Sequence, residues 1–440
     1  MVRIGIIADD LTGANDTGVQ FTKYGLTTAV YFSPKGLANQ ELADLAVVDT
    51  DSRSLPADEA YRVVREAARV MREQGYNIIY KKVDSTLRGN LGAEIDAVLD
   101  EFAFPLAVIA PAYPKNGRET LNGHHYLHHV LLHLTEISRD AKFPVTKSSI
   151  GEILQEQSRR SAGLISLEHI RSGAEAVIRQ AQKLYEKGYQ LLVCDAQKDE
   201  DLSVVAEAMA TWPGRILWVG SAGLADFLPA QVGLHQSCVA GPAIPQANGD
   251  DRRVLLIAGS MSEVTRRQVQ LAGQNERTFS IGLEPAALAL GEESSKQEIE
   301  RCLRLGKLAL ASDCDVALYA RTDSNKVEES QQLALARGMT ISQLSQMIAG
   351  TLAEIGRQFV ASGAIKGLVL TGGDTAIAVC RALGATGVKL VRELEPGIPG
   401  GSLLGTALPL QVVTKAGAFG SEQALKIAMD YLRKGEYHRD

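Results

Sequence analysis

Short apolar runs alternate with amphipathic stretches along the chain, the pattern of parallel strands buried on both faces and covered by helices. In the first half the runs predict strands over Arg3–Ala8, Thr28–Phe32, Leu45–Val48, Ile78–Lys82, Leu106–Ala110, Leu191–Cys194 and Ile216–Val219. Between them, apolar residues at three- and four-residue spacing predict helices. In Ala57–Gln74, residues Ala60, Val63, Val64, Ala67, Ala68 and Met71 share one face. In Ser172–Lys187, Gly188 stands where a helix stop belongs. Gln231–Asp251 breaks the rhythm with Gly241-Pro242, Pro245 and Asn248-Gly249, which reads as a linker. The alternation then restarts with Val254–Ala258, Val316–Ala320, Gly367–Leu370 and Val388–Leu390. The expectation is an α/β protein of two domains, 1–235 and 252–440, joined by a linker over 236–251. Each domain is expected to hold a mostly parallel sheet flanked by helices. Length agrees, since 440 residues exceed what one core usually serves.

Composition narrows the function. Apolar residues are 45% and charged residues 22% of the chain, with a formal net charge of −6. The cations are scattered, which argues against a nucleic-acid partner. Five cysteines, Cys194, Cys238, Cys302, Cys314 and Cys380, lie far apart with no C-x-x-C pair, as expected in a reducing compartment. Met1–Ile7 runs straight into a strand without a signal-peptide core, and no apolar stretch is long enough to span a bilayer. These features point to a cytoplasmic protein with no membrane partner.

The polar clusters fall at predicted strand ends, where parallel α/β sheets bind ligands. Asp9-Asp10 with Thr12-Gly13 follows the first strand. The pair could position a hydroxyl, take its proton or hold a metal ion, or one carboxylate could simply cap the next helix. Lys81-Lys82-Val83-Asp84-Ser85-Thr86-Leu87-Arg88 follows another strand and Asp51-Ser52-Arg53 a third. These groups suit a substrate carrying a carboxylate and hydroxyls, against the alternative of ordinary charged loops. The second half offers Gly259-Ser260-Met261-Ser262, Thr371-Gly372-Gly373-Asp374-Thr375, the glycines of Glu395–Ser402, and Lys415-Ala416-Gly417-Ala418-Phe419-Gly420. Four such loops in one domain suggest a nucleotide phosphate site. There is no G-x-x-x-x-G-K-[ST], no G-x-G-x-x-G after the first strand and no G-x-S-x-G elbow. His124, His125, His128, His129 and His133 would offer i,i+4 metal ligands if helical. Their apolar neighbours and the lack of interleaved acids favour a packed or oligomer-facing insertion, and no metal ligand is assigned.

With A-D-D-x-T-G-A, K-K-x-D-S-T-L-R-G, P-x-N-G-R at Pro114–Arg118, W-V-G-S-A-G-L-A at Trp218–Ala225, and the later G-S-x-S, T-G-G-D-T and V-T-K-A-G-A-F-G, nearly the whole chain resembles the four-carbon acid sugar kinase family. The resemblance implies an N-terminal sugar-acid domain and a C-terminal nucleotide domain of unusual fold that meet in an active-site cleft. It implies ATP with Mg²⁺, and phosphorylation of the terminal hydroxyl of threonate, erythronate or 3-oxo-tetronate. Carried over by motif, Asp10, Arg53, Lys82, Val83, Asp84 and Ser85 contact the sugar acid. Ser260, Gly372, Gly373, Asp374, Thr375 and Gly417 contact the nucleotide. On this reading Arg53, Lys82 and Arg88 hold the substrate carboxylate. Asp10 is the first candidate for general base and Asp84 the second. Amides at Gly372, Gly373 and Gly417 stabilise phosphate charge, and Asp374 holds the metal through a water. The His-rich segment replaces a more apolar stretch of the family beside the Arg139-Asp140 pair, and its apolar neighbours suit a homodimer. The rival readings are a metal-dependent aldolase or dehydratase, a non-catalytic sugar-acid sensor, and a kinase of a longer or branched acid sugar.

Overall fold

The computed structural model describes residues 3–38, 43–140, 143–234 and 252–434, and the chain divides into two compact units, 1–239 and 240–440. The linker expected over 236–251 lies outside the described residues, as does Cys238. The strands, in chain order, are β1 (Ile4–Ala8), β2 (Thr28–Tyr31), β3 (Leu45–Asp49), β4 (Ile78–Lys82), β5 (Ala107–Ala110), β6 (Arg118–Leu121), β7 (His124–Leu127), β8 (Val130–Leu131), β9 (Ala162–Ile165), β10 (Leu191–Cys194), β11 (Leu217–Gly220), β12 (Arg253–Ala258), β13 (Thr278–Leu283), β14 (Asp315–Ala320), β15 (Ile365–Thr371), β16 (Gly387–Glu395), β17 (Ile398–Leu404) and β18 (Gln411–Lys415).

The first unit carries strands in the order β2-β3-β1-β4-β11-β5-β10-β9, with every pairing parallel. Its interior strands are buried from end to end, which is why they read as unbroken apolar runs. Register aligns Ala8 with both Asp49 and Lys82, and Lys82 with Gly220. The residues after β1, β3 and β4 therefore leave the sheet side by side. Helix Ala57–Glu73 buries Ala60, Val64, Ala67, Ala68, Val70 and Met71 and starts with Asp58 and Glu59 in its first turn, where the helix dipole favours acids. Helix Ala174–Glu186 is followed by Gly188 at φ 90°, the left-handed stop expected from the sequence.

Gly220 and Gly223 in the Trp218–Ala225 motif are required by close approach. A β-carbon on Gly220 would lie 2.7 Å from the Ala110 carbonyl oxygen, and one on Gly223 would lie 2.4 Å from that of Ala112. Ser221 donates to the Ala112 carbonyl at 2.9 Å while its Oγ caps Gly223 N–H at 3.1 Å. This motif packs the end of β11 closely against the loop after β5.

The second unit orders its strands β13-β14-β12-β15-β18-β17-β16. The first five are parallel, and β17 runs antiparallel to both β18 and β16. Val254, Leu256, Val369, Val413, Met429 and Leu432 are among its core residues. The glycines of Glu395–Ser402, expected to form a phosphate loop, lie instead in a hairpin whose turn is Pro396-Gly397. Gly401 is needed there because a β-carbon would lie 2.1 Å from the Lys389 carbonyl oxygen across the pair.

The His-rich segment is also different from a helix. It forms the antiparallel sheet β6-β7-β8, with His128 and His129 at positive φ in the second turn. The i,i+4 helical arrangement considered for a metal site is therefore not formed. His124 bonds the Asn122 carbonyl, His129 pairs with Glu119, and His133 bonds Ser148 Oγ, each facing a different neighbour. No helix among the described residues is long and apolar enough to cross a membrane.

Candidate functional site

Three strand ends of the first unit converge on one charged cluster. Asp10 caps helix Leu11–Thr22, its Oδ1 accepting from Gly13 N–H at 3.0 Å. The same carboxylate meets Arg53 Nη2 at 2.8 Å, while Arg53 Nε meets Asp9 at 2.7 Å. The cap and the charged partner are one residue, so the plain structural role and the functional one coexist. Asp9 keeps 4% of its side-chain exposure and Asp10 27%, so Asp10 is the carboxylate open to a ligand.

Burial and its neighbours push the pair apart. Burial raises the proton affinity of Asp9, but Arg53 and Lys81 outweigh it and hold the carboxyl below its ordinary value. For Asp10, burial and the adjacent Asp9 charge prevail over Arg53, and the pKa is raised. Two adjacent carboxylates separated in this way can take different roles, and the raised one suits proton acceptance. Asp49, buried at the end of β3 and facing the charges of Asp10, Asp51 and Asp9, is raised well above the usual range, chiefly by burial.

Beneath this pair lies a fully buried ion pair, Lys81 Nζ to Glu94 Oε2 at 2.7 Å, with Ser52 Oγ donating to Glu94 Oε1 at 2.8 Å. It fixes β4, the 51–55 loop and helix Leu91–Phe102 to one another. Asn90 donates to the carbonyls of Ser52 and Leu55 at 3.2 and 2.9 Å, binding the loop after β4 to the loop after β3. Asp51 and Leu87 in these two loops adopt left-handed conformations, φ 49° and 58°, a strain that such a network can hold.

Asp84 accepts from Thr86 Oγ1 and from Arg88 Nε at 2.6 Å, and Arg88 also reaches Asp140 at 3.3 Å. Burial raises Asp84, but Arg53 and Arg88 more than reverse it, leaving the carboxyl far below its usual range. Lys82 is 5% exposed, and its Nζ donates to the Val83 carbonyl at 3.1 Å. Among the described residues no carboxylate lies within ion-pair distance of it. A β-carbon on Gly13 would fall 2.7 Å from both Lys82 Nζ and Asp10 Oδ1, so glycine keeps open the gap between the cation and the cap. Val83 is buried, with its N–H on the Gly220 carbonyl at 2.9 Å. Ser85 presents its carbonyl to His125 Nε2 at 2.9 Å. A cavity of about 440 Å³ opens beside Arg53, with Leu55, Leu87, Asn90, Phe143 and Gln157 in its wall.

His125 is a residue the sequence reading missed in this role. It is fully buried, with Nδ1 against Thr120 Oγ1 at 3.0 Å, and burial holds its pKa down to about 4. The ring is therefore neutral near pH 7, donating from Nε2 to Ser85 and accepting at Nδ1 from Thr120. Glu94 was missed too. The one signal available was Lys81 itself, a cation on a strand expected to be buried, which requires a partner.

In the second unit the predicted nucleotide residues meet at the ends of β12, β15 and β18. Gly259 N–H bonds the Thr371 carbonyl at 3.2 Å and Gly372 N–H the Lys415 carbonyl at 3.1 Å. Gly372, at φ 96°, is the N-cap of helix Gly373–Ala382, and its missing side chain faces Ser260. A β-carbon on Gly417 would lie 2.3 Å from Ser260 Oγ. Ser260, Gly372 and Gly417 thus form a bare backbone cradle at a helix N-terminus, a geometry suited to phosphate oxygens. Gly373 and Asp374 are exposed in the first helical turn. Thr375 turns inward, 3% exposed, with its Oγ1 packed against Gly259.

Lys415, 3% exposed, donates to the carbonyls of Ala416, Gly417 and Phe419 at 2.8, 3.0 and 3.1 Å, and fixes the loop that carries Gly417. Burial draws its pKa down to about 8. Thr265 Oγ1 braces the same loop through the Gly417 carbonyl at 2.6 Å. Beside Ser260 lies a cavity of about 310 Å³ bounded by Thr265, Arg266, Tyr319, Arg321 and Asp323. Mg²⁺ is bound in nucleotide sites by one or two carboxylates, waters and the phosphates themselves. The exposed carboxylate of Asp374 beside the cradle fits that donor set.

Comparison with known proteins matches two family models to the chain. The family described as Sugar-binding N-terminal domain matches residues 4–228, and the family described as Nucleotide-binding C-terminal domain matches residues 255–425. A D-threonate kinase of Salmonella typhimurium is 36% identical over 435 residues, covering 98% of this chain and 99% of that protein. A D-erythronate kinase of Heliobacterium modesticaldum is 34% identical over 441 residues, covering 98% and 97%. A crystal structure of a Haemophilus influenzae protein superposes with a TM-score of 0.75 at 25% identity, covering 98% of this chain and 99% of that one.

Proposed function

Because the chain belongs to the four-carbon acid sugar kinase family, we propose that it transfers the γ-phosphoryl group of ATP to the terminal 4-hydroxyl of a four-carbon sugar acid such as D-threonate, D-erythronate or 3-oxo-tetronate. The domain limits proposed are 1–235 for the sugar-acid half and 252–440 for the nucleotide half, joined through 236–251. The observation that carries the reading is the pairing of site types within one chain. One unit holds a cation-and-carboxylate cluster, and the other a glycine cradle at a helix N-terminus.

In this mechanism Asp10 orients the attacking hydroxyl and takes its proton. Its raised pKa and its exposure support it over Asp84, which Arg88 and Thr86 hold as a poor base. Arg53, Lys82 and Arg88 supply the positive field that holds the acid, with Val83 and Ser85 shaping the strand-end wall. Backbone amides at Gly373 and Gly417 and the hydroxyl of Ser260 receive the phosphates beside Gly372, whose own N–H is held by the Lys415 carbonyl and whose bare backbone lets them approach, and Thr375 supports Gly259 behind them. Phosphoryl transfer depends mainly on placement and charge neutralisation, so these groups need only hold a hydroxyl in line with a phosphate. Mg²⁺, when bound with ATP, supplies further neutralisation of phosphate charge, and Asp374 would hold it through a water.

The test is a screen for ADP release by the purified protein with ATP against the three acids, with the product located by phosphorus NMR. ADP formation dependent on one of them, with phosphate on the 4-hydroxyl, is the expected result. ATP-independent loss of the acid, abolished by a chelator, would identify an aldolase or dehydratase instead. Turnover confined to longer or branched acids would reassign the substrate class.

A further inference from the structure

The cations of the sugar-acid cluster differ in how far they are already neutralised. Arg53 spans Asp9 and Asp10, Lys81 is matched to Glu94, and Arg88 spans Asp84 and Asp140. Among the described residues no carboxylate lies within ion-pair distance of Lys82, which sits across the Gly13 gap from Asp10, at the end where the hydroxyl is handled. Arg118, the last residue of the Pro114–Arg118 motif, has no role in the mechanism above. Among the described residues no carboxylate lies within ion-pair distance of its guanidinium. Its Nε is buried without a hydrogen-bond partner, and Nη1 donates to the Asn116 carbonyl.

The backbone holds Arg118 firmly. Its N–H and carbonyl exchange hydrogen bonds with Tyr113 at 3.1 and 2.8 Å, closing a turn through Gly117 at φ 70°. β6, which Arg118 opens, pairs with β7, and His125 of β7 bonds the Ser85 carbonyl at 2.9 Å, so the strand is tied to the loop that carries Asp84 and Arg88. A half-buried guanidinium with an orphaned N–H is costly unless an anion completes it.

We propose that Arg118 binds the carboxylate of the sugar acid, fixing that end of the substrate on the Asp84–Arg88 side while the terminal hydroxyl lies at Asp10. The assignment rests on the sugar-acid reading above and adds the direction in which the acid lies. It makes Arg118 the residue that separates acids from neutral four-carbon polyols.

The experiment is calorimetric binding of D-threonate, D-erythronate and the uncharged polyol threitol to the full chain and to Arg118→Gln. Steady-state kinetics with ATP and a melting curve accompany it. Loss of one charge-assisted contact predicts roughly 10- to 100-fold weaker acid binding. The KM for ATP should stay unchanged and the preference for acid over threitol should collapse. Equal acid affinity in parent and variant overturns the proposal. Absence of binding of either acid to the parent chain overturns the substrate reading itself, and this inference with it. Should Arg118→Gln melt below the assay temperature, Arg118→Lys carries the test, since it keeps the charge without the planar fork. Acid binding weakened several-fold with threitol unaffected supports the proposal, and unchanged acid binding overturns it.

Discussion

Asp10→Asn separates the chemical role of Asp10 from its structural one. Asparagine caps helices about as well as aspartate, so the bond from Gly13 N–H at 3.0 Å should survive. The amide oxygen still offers Arg53 an acceptor, and Asp9 keeps its own contact with that guanidinium at 2.7 Å. What disappears is a negative charge that burial and Asp9 already disfavour. Because the folded-state pKa of Asp10 is raised, its proton stabilises the fold at low pH. That contribution is lost as the pH rises from about 3.9 through the raised value. Asparagine is neutral throughout, so stability at pH 7 should equal or slightly exceed that of the parent, within about 1 kcal/mol. Asp10→Ala, by contrast, also loses the cap, at roughly 1 kcal/mol. General-base catalysis contributes about 10²- to 10⁴-fold, or roughly 3–5 kcal/mol of barrier. The turnover of Asp10→Asn should fall by that factor with the KM for ATP unchanged. The acid limb of the parent pH–rate profile, set by protonation of Asp10, should vanish. A variant that turns over within about threefold of the parent and keeps the acid limb would remove Asp10 as the base and leave Asp84 as the candidate.

Further outcomes follow from two buried groups, Lys415 and His125. The KM for ATP should rise as the pH climbs through about 8, where Lys415 loses its proton, and Lys415→Met should show a high, pH-independent value. A depressed lysine pKa means that this group's contribution to stability increases between about 8 and 10.4, so loss of its proton does not itself unfold the chain, which melting curves over the same range check; a flat ATP profile in the parent would refute a role for Lys415 in ATP binding. His125→Ala leaves the Ser85 carbonyl and Thr120 hydroxyl without their partner, at roughly 1–3 kcal/mol, and should raise the KM for the sugar acid more than that for ATP. With a folded pKa of about 4, His125 takes up its proton only at acid pH, so stability is lost as the pH falls below about 6.5; His125→Gln, read by thermal melts across pH 4–7, should abolish that slope.

Most interior parallel strands were legible because strands buried on both faces leave unbroken apolar runs; β18, parallel to β15 and inside the sheet, was not, since Gln-Val-Val-Thr-Lys offers only two apolar residues. Arg3–Ala8 was expected and Ile4–Ala8 is found. Edge strands lack that signature. In β13, Phe279 and Ser280 are exposed, and β9 is a partly buried Ala-Gly-Leu-Ile, so neither stood out. Glycine misleads at Glu395–Ser402, where the absence of side chains serves the close approach of β17 to β16 rather than a phosphate loop. The site followed the same rule. Residues clustered locally at strand ends, such as Asp9-Asp10 and Lys81–Arg88, were visible as motifs. Partners contributed from elsewhere were not: Glu94 meets Lys81 from the following helix, and His125 reaches Ser85 across forty positions of sequence.

The arrangement of charge explains why the two sites differ in kind. In the first unit, guanidiniums cross-link carboxylates, which fixes the loops after β1, β3 and β4 but consumes most of the positive charge. Arg53 and Arg88 are already shared among carboxylates, and the recognition proposed above adds Lys82 and Arg118, which among the described residues have no carboxylate within ion-pair distance. In the second unit, Lys415 faces carbonyls, and among the described residues no carboxylate lies within ion-pair distance of it. A buried cation without an anion is costly to the folded chain, and an incoming anion lowers that cost. The recognition proposed for the two sites therefore turns on individual cations, Lys82 and Arg118 in the first unit and Lys415 in the second, rather than on a net surplus of positive charge.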